Sequence, residues 1–97
     1  MMNQPCAVYM MTNKPRGTLY LGVTSDLLRR VHEHRTGVGS PFTRRYALTR
    51  LVWFETGDWY DGARARERAM KFWRRAWKIE LIERANPNWD DLYSTLF

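Results

Sequence analysis

Two tyrosines are spaced to form a phenolic pair on one face of a hairpin. Tyr9 and Tyr20 lie in two apolar runs separated by the turn-forming segment TNKPRG. A turn centred just after Lys14 sets residues whose numbers sum to 29 opposite each other, so Tyr9 faces Tyr20 directly. The pair is either a packing contact or part of a site. Gly22 favours a site, because a strand glycine often marks the close approach of a ligand or of another backbone.

A second group follows on a helix. Leu27, Arg30, Val31 and His34 recur at the spacing of one helical stripe. Leu27 and Val31 must face the sheet, which draws Arg30 and His34 toward the interior edge. Burying an unpaired guanidinium is costly, so Arg30 needs either an internal salt bridge or an anionic substrate.

A lone glutamate lies close to the apolar stripe of a later helix. Glu67 stands near the line of Ala63 and Met70. Its charged neighbours are all cations: Arg64, Arg66, Arg68 and Lys71. Such a carboxylate either pairs with one of them or helps to hold a hard divalent cation, which needs only one or two carboxylates beside water and phosphate.

The elements that must position these residues form an α/β (α+β) pattern. Apolar runs predict strands at residues 6–11, 18–23 and 48–55, and capping signals around a 3.6-residue period predict a helix from residue 27 to Gly37. We therefore expect a small three-stranded antiparallel sheet flanked by helices. The expected order is β-β-α-β-α with a C-terminal helical extension and tail.

Three segments are less regular. Residues 37–45, GVGSPFTRR, predict a basic loop. Residues 59–84 contain helical periodicity without proline, but a straight helix here would have apolar residues on both of its sides. Either the segment bends near Arg74 into two helices, or both sides of one helix are covered. Asn86 and Pro87 end this region, and we expect Trp89 and the apolar residues after it to anchor the tail.

Composition limits the classes of protein that are possible. With 97 residues, of which 44% are hydrophobic and 14% aromatic, the chain has material for a single domain, residues 1–97, with its own core. Sixteen Lys and Arg against ten Asp and Glu give a net charge of +6, which favours a polyanionic partner.

Cysteine content and hydropathy indicate a cytoplasmic location. Cys6 is the only cysteine, so the sequence has neither a disulfide framework nor a zinc-ligand spacing. Residues 1–6 lack a basic segment followed by an apolar run, and nowhere do eighteen apolar residues occur together. Neither secretion nor a membrane partner is indicated.

Taken together, these motifs resemble a known family. VYM at Val8, followed by YLG at Tyr20, is similar to the paired signature of the GIY-YIG nucleases. Arg30 follows the second tyrosine by ten residues, the spacing used in that family, and His34 follows four residues later. The later segment, from ARARERAM onward, resembles the small bacterial single-domain branch, related to the N-terminal catalytic module of the excision-repair nuclease subunit.

The resemblance implies an endonuclease that hydrolyses phosphodiester bonds in DNA, with single-stranded or branched DNA as candidate substrates and a connection to DNA repair. Tyr20 would be the general base, and because a phenol ionises near pH 10, such a base needs a nearby cation. Tyr9 would orient the nucleophile or bind phosphate, and Arg30 would stabilise charge on the phosphoryl oxygens. Glu67 would hold one Mg²⁺ or Mn²⁺, and His34 would assist proton transfer or contact phosphate. These side chains should converge on one open groove, and no organic cofactor is implied.

Other residues are candidates for nucleic-acid binding. Cations that could follow a phosphate backbone are Arg44, Arg45, Arg50, Lys71, Arg74 and Arg75. Phe42 and Tyr46 could stack on unpaired bases. Two alternatives remain open: a non-catalytic nucleic-acid-binding module, and a nuclease that acts on RNA.

Overall fold

The structure, a computed structural model, describes residues 6–97; residues 1–5, on which part of the expectation about secretion rests, lie outside the described residues. Along the chain the elements are β1 (Cys6–Thr12), β2 (Leu19–Thr24), α1 (Leu27–Arg35), α2 (Pro41–Arg45), β3 (Arg50–Gly57), α3 (Tyr60–Lys71), α4 (Arg75–Ala85) and a 3₁₀ helix (Leu92–Leu96). The predicted α+β class and element order are confirmed, with one short helix added. Within residues 6–97, no helix is long and apolar enough to span a bilayer.

The sheet has β1 in its centre, in the order β2-β1-β3, with both neighbours antiparallel. Every residue of β1 is buried, because helices cover both faces of this strand. Alternate side chains of a strand point to opposite faces. One face carries Val8 and Met10, which pack with Met70, Ile82 and Trp89 from the C-terminal half. The other carries Tyr9 and Met11, which pack with Val31, Leu48 and Leu51.

The glycines and proline of residues 37–45 predicted a loop, but only the first part of this segment is one. Its second half forms α2, because Ser40 caps the helix and Pro41 occupies the first turn. Pro41 fits there because the first-turn amides have no partner within the helix. The Ser40 hydroxyl accepts a hydrogen bond from the Thr43 amide at 3.1 Å, which satisfies one of those amides. Local capping therefore outweighs the loop composition.

The C-terminal half contains the predicted bend and the predicted anchors. α3 ends at Lys71 and α4 begins at Arg75, so the helical region is two helices. Trp89 is 2% exposed. The apolar side chains of the 3₁₀ helix pack against the Tyr9 face of the sheet. Asn86 ties this tail to the sheet, since its amide donates to the carbonyl of Val52 at 3.1 Å.

Candidate active site

The hairpin register differs from the prediction by one residue at the turn. Tyr9 pairs with Gly22, whereas Tyr20 pairs with Met11. The connection, residues 13–18, is as long as predicted but begins one residue later, and Arg16 within it adopts a left-handed conformation with φ 55°. This shift moves the pairing by two residues and therefore keeps each side chain on its face. The two tyrosines are diagonal neighbours, with ring centroids 6.2 Å apart.

Gly22 leaves the space that Tyr9 occupies. A Cβ at this position would lie 2.6 Å from both Cζ and Oη of Tyr9, and 2.9 Å from Cε2 of Tyr20. Such distances are far shorter than van der Waals contact, so a side chain here would displace one of the rings. The strand glycine thus does mark a close approach, but the approaching group is the phenol of Tyr9.

A hydrogen-bonded relay fixes the buried end of the site. The Tyr9 hydroxyl lies 2.7 Å from Nε2 of His34, and Nδ1 of His34 lies 3.0 Å from the Thr43 hydroxyl. The Thr43 hydroxyl donates to the carbonyl of Ser40, at 3.0 Å. Because that hydroxyl has only one proton, we infer that Nδ1–H of His34 donates to Thr43 and that Nε2 accepts the proton of Tyr9. Sequence reasoning missed Thr43, although Ser-Pro two residues before it is a helix-start signal.

Burial keeps both members of this pair neutral. Desolvation, with a smaller contribution from the charge of Arg30, lowers the pKa of His34 to about 4. Desolvation also raises the pKa of Tyr9 well above its ordinary value, and the neighbouring Tyr20 raises it further. With side chains 1% exposed, neither residue reaches bulk water. The phosphate contact considered for His34 is not available to a ring whose two nitrogens are both bonded within the protein.

Arg30 is a partly exposed cation beside this cluster. Its charge acts on the pKa values of both Tyr9 and His34. It also makes the internal salt bridge that the sequence left open, with Nη1 3.0 Å from Oε1 of Glu33. This bond lowers the pKa of Glu33. A guanidinium has five N–H donors, so the ion pair leaves others for an anion.

Glu67 lies on α3, the helix that packs on the Val8 and Met10 face of the sheet. α3 packs against β1 and β2, and Met70 joins the cluster around Val8 and Met10. Glu67 is 8% exposed, and Oε2 lies 3.0 Å from Nζ of Lys71. Within residues 6–97, no hydrogen bond or ion pair joins Glu67 to the tyrosine cluster. Convergence of Glu67 with the tyrosines in one groove therefore stays a prediction.

Half of the candidate phosphate-binding cations have structural contacts. Nη1 of Arg50 donates to the carbonyl of Trp89 at 2.8 Å, and Lys71 pairs with Glu67. Nη2 of Arg75 donates to the backbone of the hairpin turn, at 2.6 and 2.7 Å. The bonds of Arg50 and Arg75 connect separate parts of the chain, whereas the ion pair of Lys71 lies within α3.

The remaining cations are exposed. Arg44 and Arg45 end α2, where their charge also complements the helix dipole. The guanidinium of Arg45 lies 5.5 Å from the ring centroid of Tyr46, and that of Arg74 lies 5.5 Å from the ring centroid of Trp77. Among the predicted binding residues, these three are the best placed to meet a polyanion.

Comparison with known proteins gives one family and a set of small relatives. A family model described as the GIY-YIG catalytic domain matches residues 5–80. The chain is 41% identical over 66 residues to a UPF0213 protein of Haloquadratum walsbyi, covering 68% of this chain and 74% of that protein. It is 37% identical over 71 residues to a UPF0213 protein of Syntrophus aciditrophicus (72% and 80% covered), and 35% identical over 75 residues to one of Clostridium perfringens (77% and 80%). No solved structure matches the chain.

Proposed function

Since this chain belongs to the GIY-YIG catalytic domain family, a nuclease superfamily, we propose that it is a metal-dependent endonuclease that hydrolyses phosphodiester bonds in DNA. The observation that carries the proposal is the cluster around Tyr20. This ring lies 5.3 Å from the ring of His34 and 6.2 Å from that of Tyr9. It is partly exposed, whereas its two neighbours are buried.

The two tyrosines take different roles for a physical reason. Tyr9 is held protonated by burial and donates its proton to His34, so it cannot accept one from water. Its role is to hold Tyr20 in position. Tyr20 is the phenol that solvent reaches, and we assign it the role of general base toward the attacking water. His34 is then a positioning residue, because its neutral Nε2 fixes the Tyr9 hydroxyl.

Arg30 supplies the positive charge of the site. Its ion pair with Glu33 fixes one arm of the guanidinium, and the other donors turn toward the phosphoryl oxygens. In hydrolysis, negative charge grows on those oxygens, so a fixed cation stabilises the transition state more than the substrate.

Glu67 would hold the metal ion. Among the described residues, no cluster of three or more His, Cys, Asp or Glu side chains could enclose a metal. One largely buried carboxylate still fits Mg²⁺ or Mn²⁺, which is completed by water and substrate phosphate. Lys71, whose side chain is 58% exposed, can move into solvent and release the carboxylate. When bound, the ion would polarise the scissile phosphate and stabilise the leaving oxygen.

A substrate panel tests the proposal. Plasmid, single-stranded and branched DNA, and RNA of matching sequence, are incubated with the protein in Mg²⁺ or Mn²⁺. We expect metal-dependent cutting of DNA that Glu67→Gln and Tyr20→Phe both abolish. Glu80→Gln, which changes an exposed glutamate paired with Arg84, is the control and should cut normally. Cutting that survives Glu67→Gln, or no cutting of any substrate, refutes the proposal. If only RNA is cut, the substrate is RNA and not DNA.

A non-catalytic nucleic-acid-binding module is the second candidate. It is favoured by the ion pairs that already occupy Arg30 and Glu67. It predicts salt-sensitive binding to DNA with no cutting, and binding that Tyr20→Phe leaves unchanged.

A further inference from the structure

Two aromatic side chains of α2 lie exposed beside the candidate site. The ring of Phe42 is 6.3 Å from the ring of Tyr20, and Tyr46 follows 4.9 Å further on, measured between centroids. The rings therefore continue outward from the proposed base. We call Phe42 and Tyr46 the aromatic ledge.

The fold does not use the ledge as core. Phe42 is 44% exposed and Tyr46 is 42% exposed, whereas Thr43 between them is buried. Large aromatic side chains contribute to a core by being removed from water, so these half-open rings contribute less than fully buried ones. Neither ring belongs to the two buried clusters that cover the sheet. An exposed aromatic pair next to a candidate site is more consistent with binding.

Positive charge is interleaved with these rings. Arg44 and Arg45 lie between Phe42 and Tyr46 in the sequence, and the guanidinium of Arg45 lies 5.5 Å from the Tyr46 centroid. Cations that follow a backbone, combined with aromatic faces on which bases stack, form the usual surface for single-stranded nucleic acid. In a duplex the base faces are covered by neighbouring base pairs, so a duplex offers the ledge nothing to stack on.

We propose that the aromatic ledge binds unpaired bases of the DNA strand whose phosphodiester bond reaches Tyr20. The substrate class is then single-stranded DNA, or DNA that is locally unpaired beside the cut. The ring of Phe42 is 6.3 Å from that of Tyr20, so a base stacked on Phe42 lies close to the bond that reaches Tyr20. This inference rests on the proposed function for the identity of the site, but base binding is measurable without cleavage.

The test measures binding in EDTA, where no cutting occurs. Fluorescence anisotropy follows a labelled single-stranded DNA, an abasic strand of equal length, and a blunt-ended linear duplex. The variants are Phe42→Leu and Tyr46→Leu, which remove stacking, and Phe42→Trp, which retains it. Phe72→Leu is the matched control, because Phe72 is 89% exposed on a different part of the surface.

We expect Phe42→Leu and Tyr46→Leu each to weaken binding of the single strand by about five- to hundredfold. Phe42→Trp and Phe72→Leu should bind like the unmodified chain, and the abasic strand should not distinguish the variants. Equal binding by the leucine variants, or an equal loss on the duplex, overturns the proposal. If the leucine variants lose binding but no substrate in the panel is cut, the proposed nuclease activity is refuted and base binding by the aromatic ledge is not. The two proposals can therefore fail separately.

Discussion

Replacing Gly22 by alanine should destabilise the protein, although alanine usually suits a strand better than glycine. The added methyl group would meet Tyr9 atoms at 2.6 Å. Tyr9 cannot withdraw, because its ring is 1% exposed and its hydroxyl is bonded to His34. Overpacking of this kind costs about 1–3 kcal/mol. Removing a strand glycine gains about 0.5–1 kcal/mol, so we expect a net loss of up to about 2.5 kcal/mol.

Gly57 provides a matched control for this substitution. It also lies in a strand of the sheet, and a Cβ there would have nothing within 4 Å. Gly57→Ala should therefore keep or slightly raise stability. The difference between the two glycines isolates the contact with the tyrosines from the general effect of adding a methyl group.

Thermal and urea unfolding, followed by the fluorescence of the five tryptophans, measures both variants. For a domain of this size, 1 kcal/mol corresponds to a change of about 4–8 °C in Tm. Gly22→Ala should melt several degrees below the unmodified chain. If it melts at or above the Tm of Gly57→Ala, the tyrosine packing described here is wrong.

Three further predictions concern stability and activity. The pKa of His34 is about 4 in the fold, against an ordinary value of 6.5. The unfolded chain therefore binds a proton at His34 more readily than the folded chain does. The free energy of unfolding should fall by up to about 3 kcal/mol as the pH is lowered from 6.5 toward 4. Between pH 7 and 4.5, the free energy of unfolding measured in urea should fall more steeply for the unmodified chain than for His34→Gln. Parallel pH dependences of the two proteins would contradict this. Asn86→Ala removes the bond to the buried carbonyl of Val52 and the bond to the part-buried amide of Asp90, and it should cost about 1–3 kcal/mol by urea unfolding. Asn88→Ala, at an exposed position, should cost under about 0.5 kcal/mol. If DNA is cut, Arg30→Lys should lower kcat about a hundredfold with unchanged Tm; unaltered kcat would remove Arg30 from the site.

The fold was largely predictable because its signals are local and periodic. Apolar runs indicated the strands, and helical spacing indicated α1 and a helical region at residues 59–84, without deciding between one helix and two. The hairpin register was not predictable, because it depends on how Arg16 and the preceding side chains close the turn. α2 was missed because glycine and proline around Ser40 indicate a loop until the capping bonds are counted.

The proximity of some candidate residues could be predicted from spacing, but their contacts could not. Spacing placed Tyr9 with Tyr20 and Arg30 with His34. It could not show that His34 bonds Tyr9, because that contact joins a strand to a helix 25 residues later. Nor could helical periodicity show on which face of the sheet Glu67 would lie, because that depends on the path of the chain between β3 and α3.

The central position of β1 has a consequence for synthesis on the ribosome. β1 can pair with β2 once residue 24 has emerged, but its other edge waits for β3, which ends at Gly57. At about 5–20 residues per second, the intervening residues take roughly 2–7 s to add. During that interval a strand made of CAVYMM exposes an unpaired apolar edge. The nascent hairpin is therefore the stage at which this chain is most open to aggregation or to capture by a chaperone.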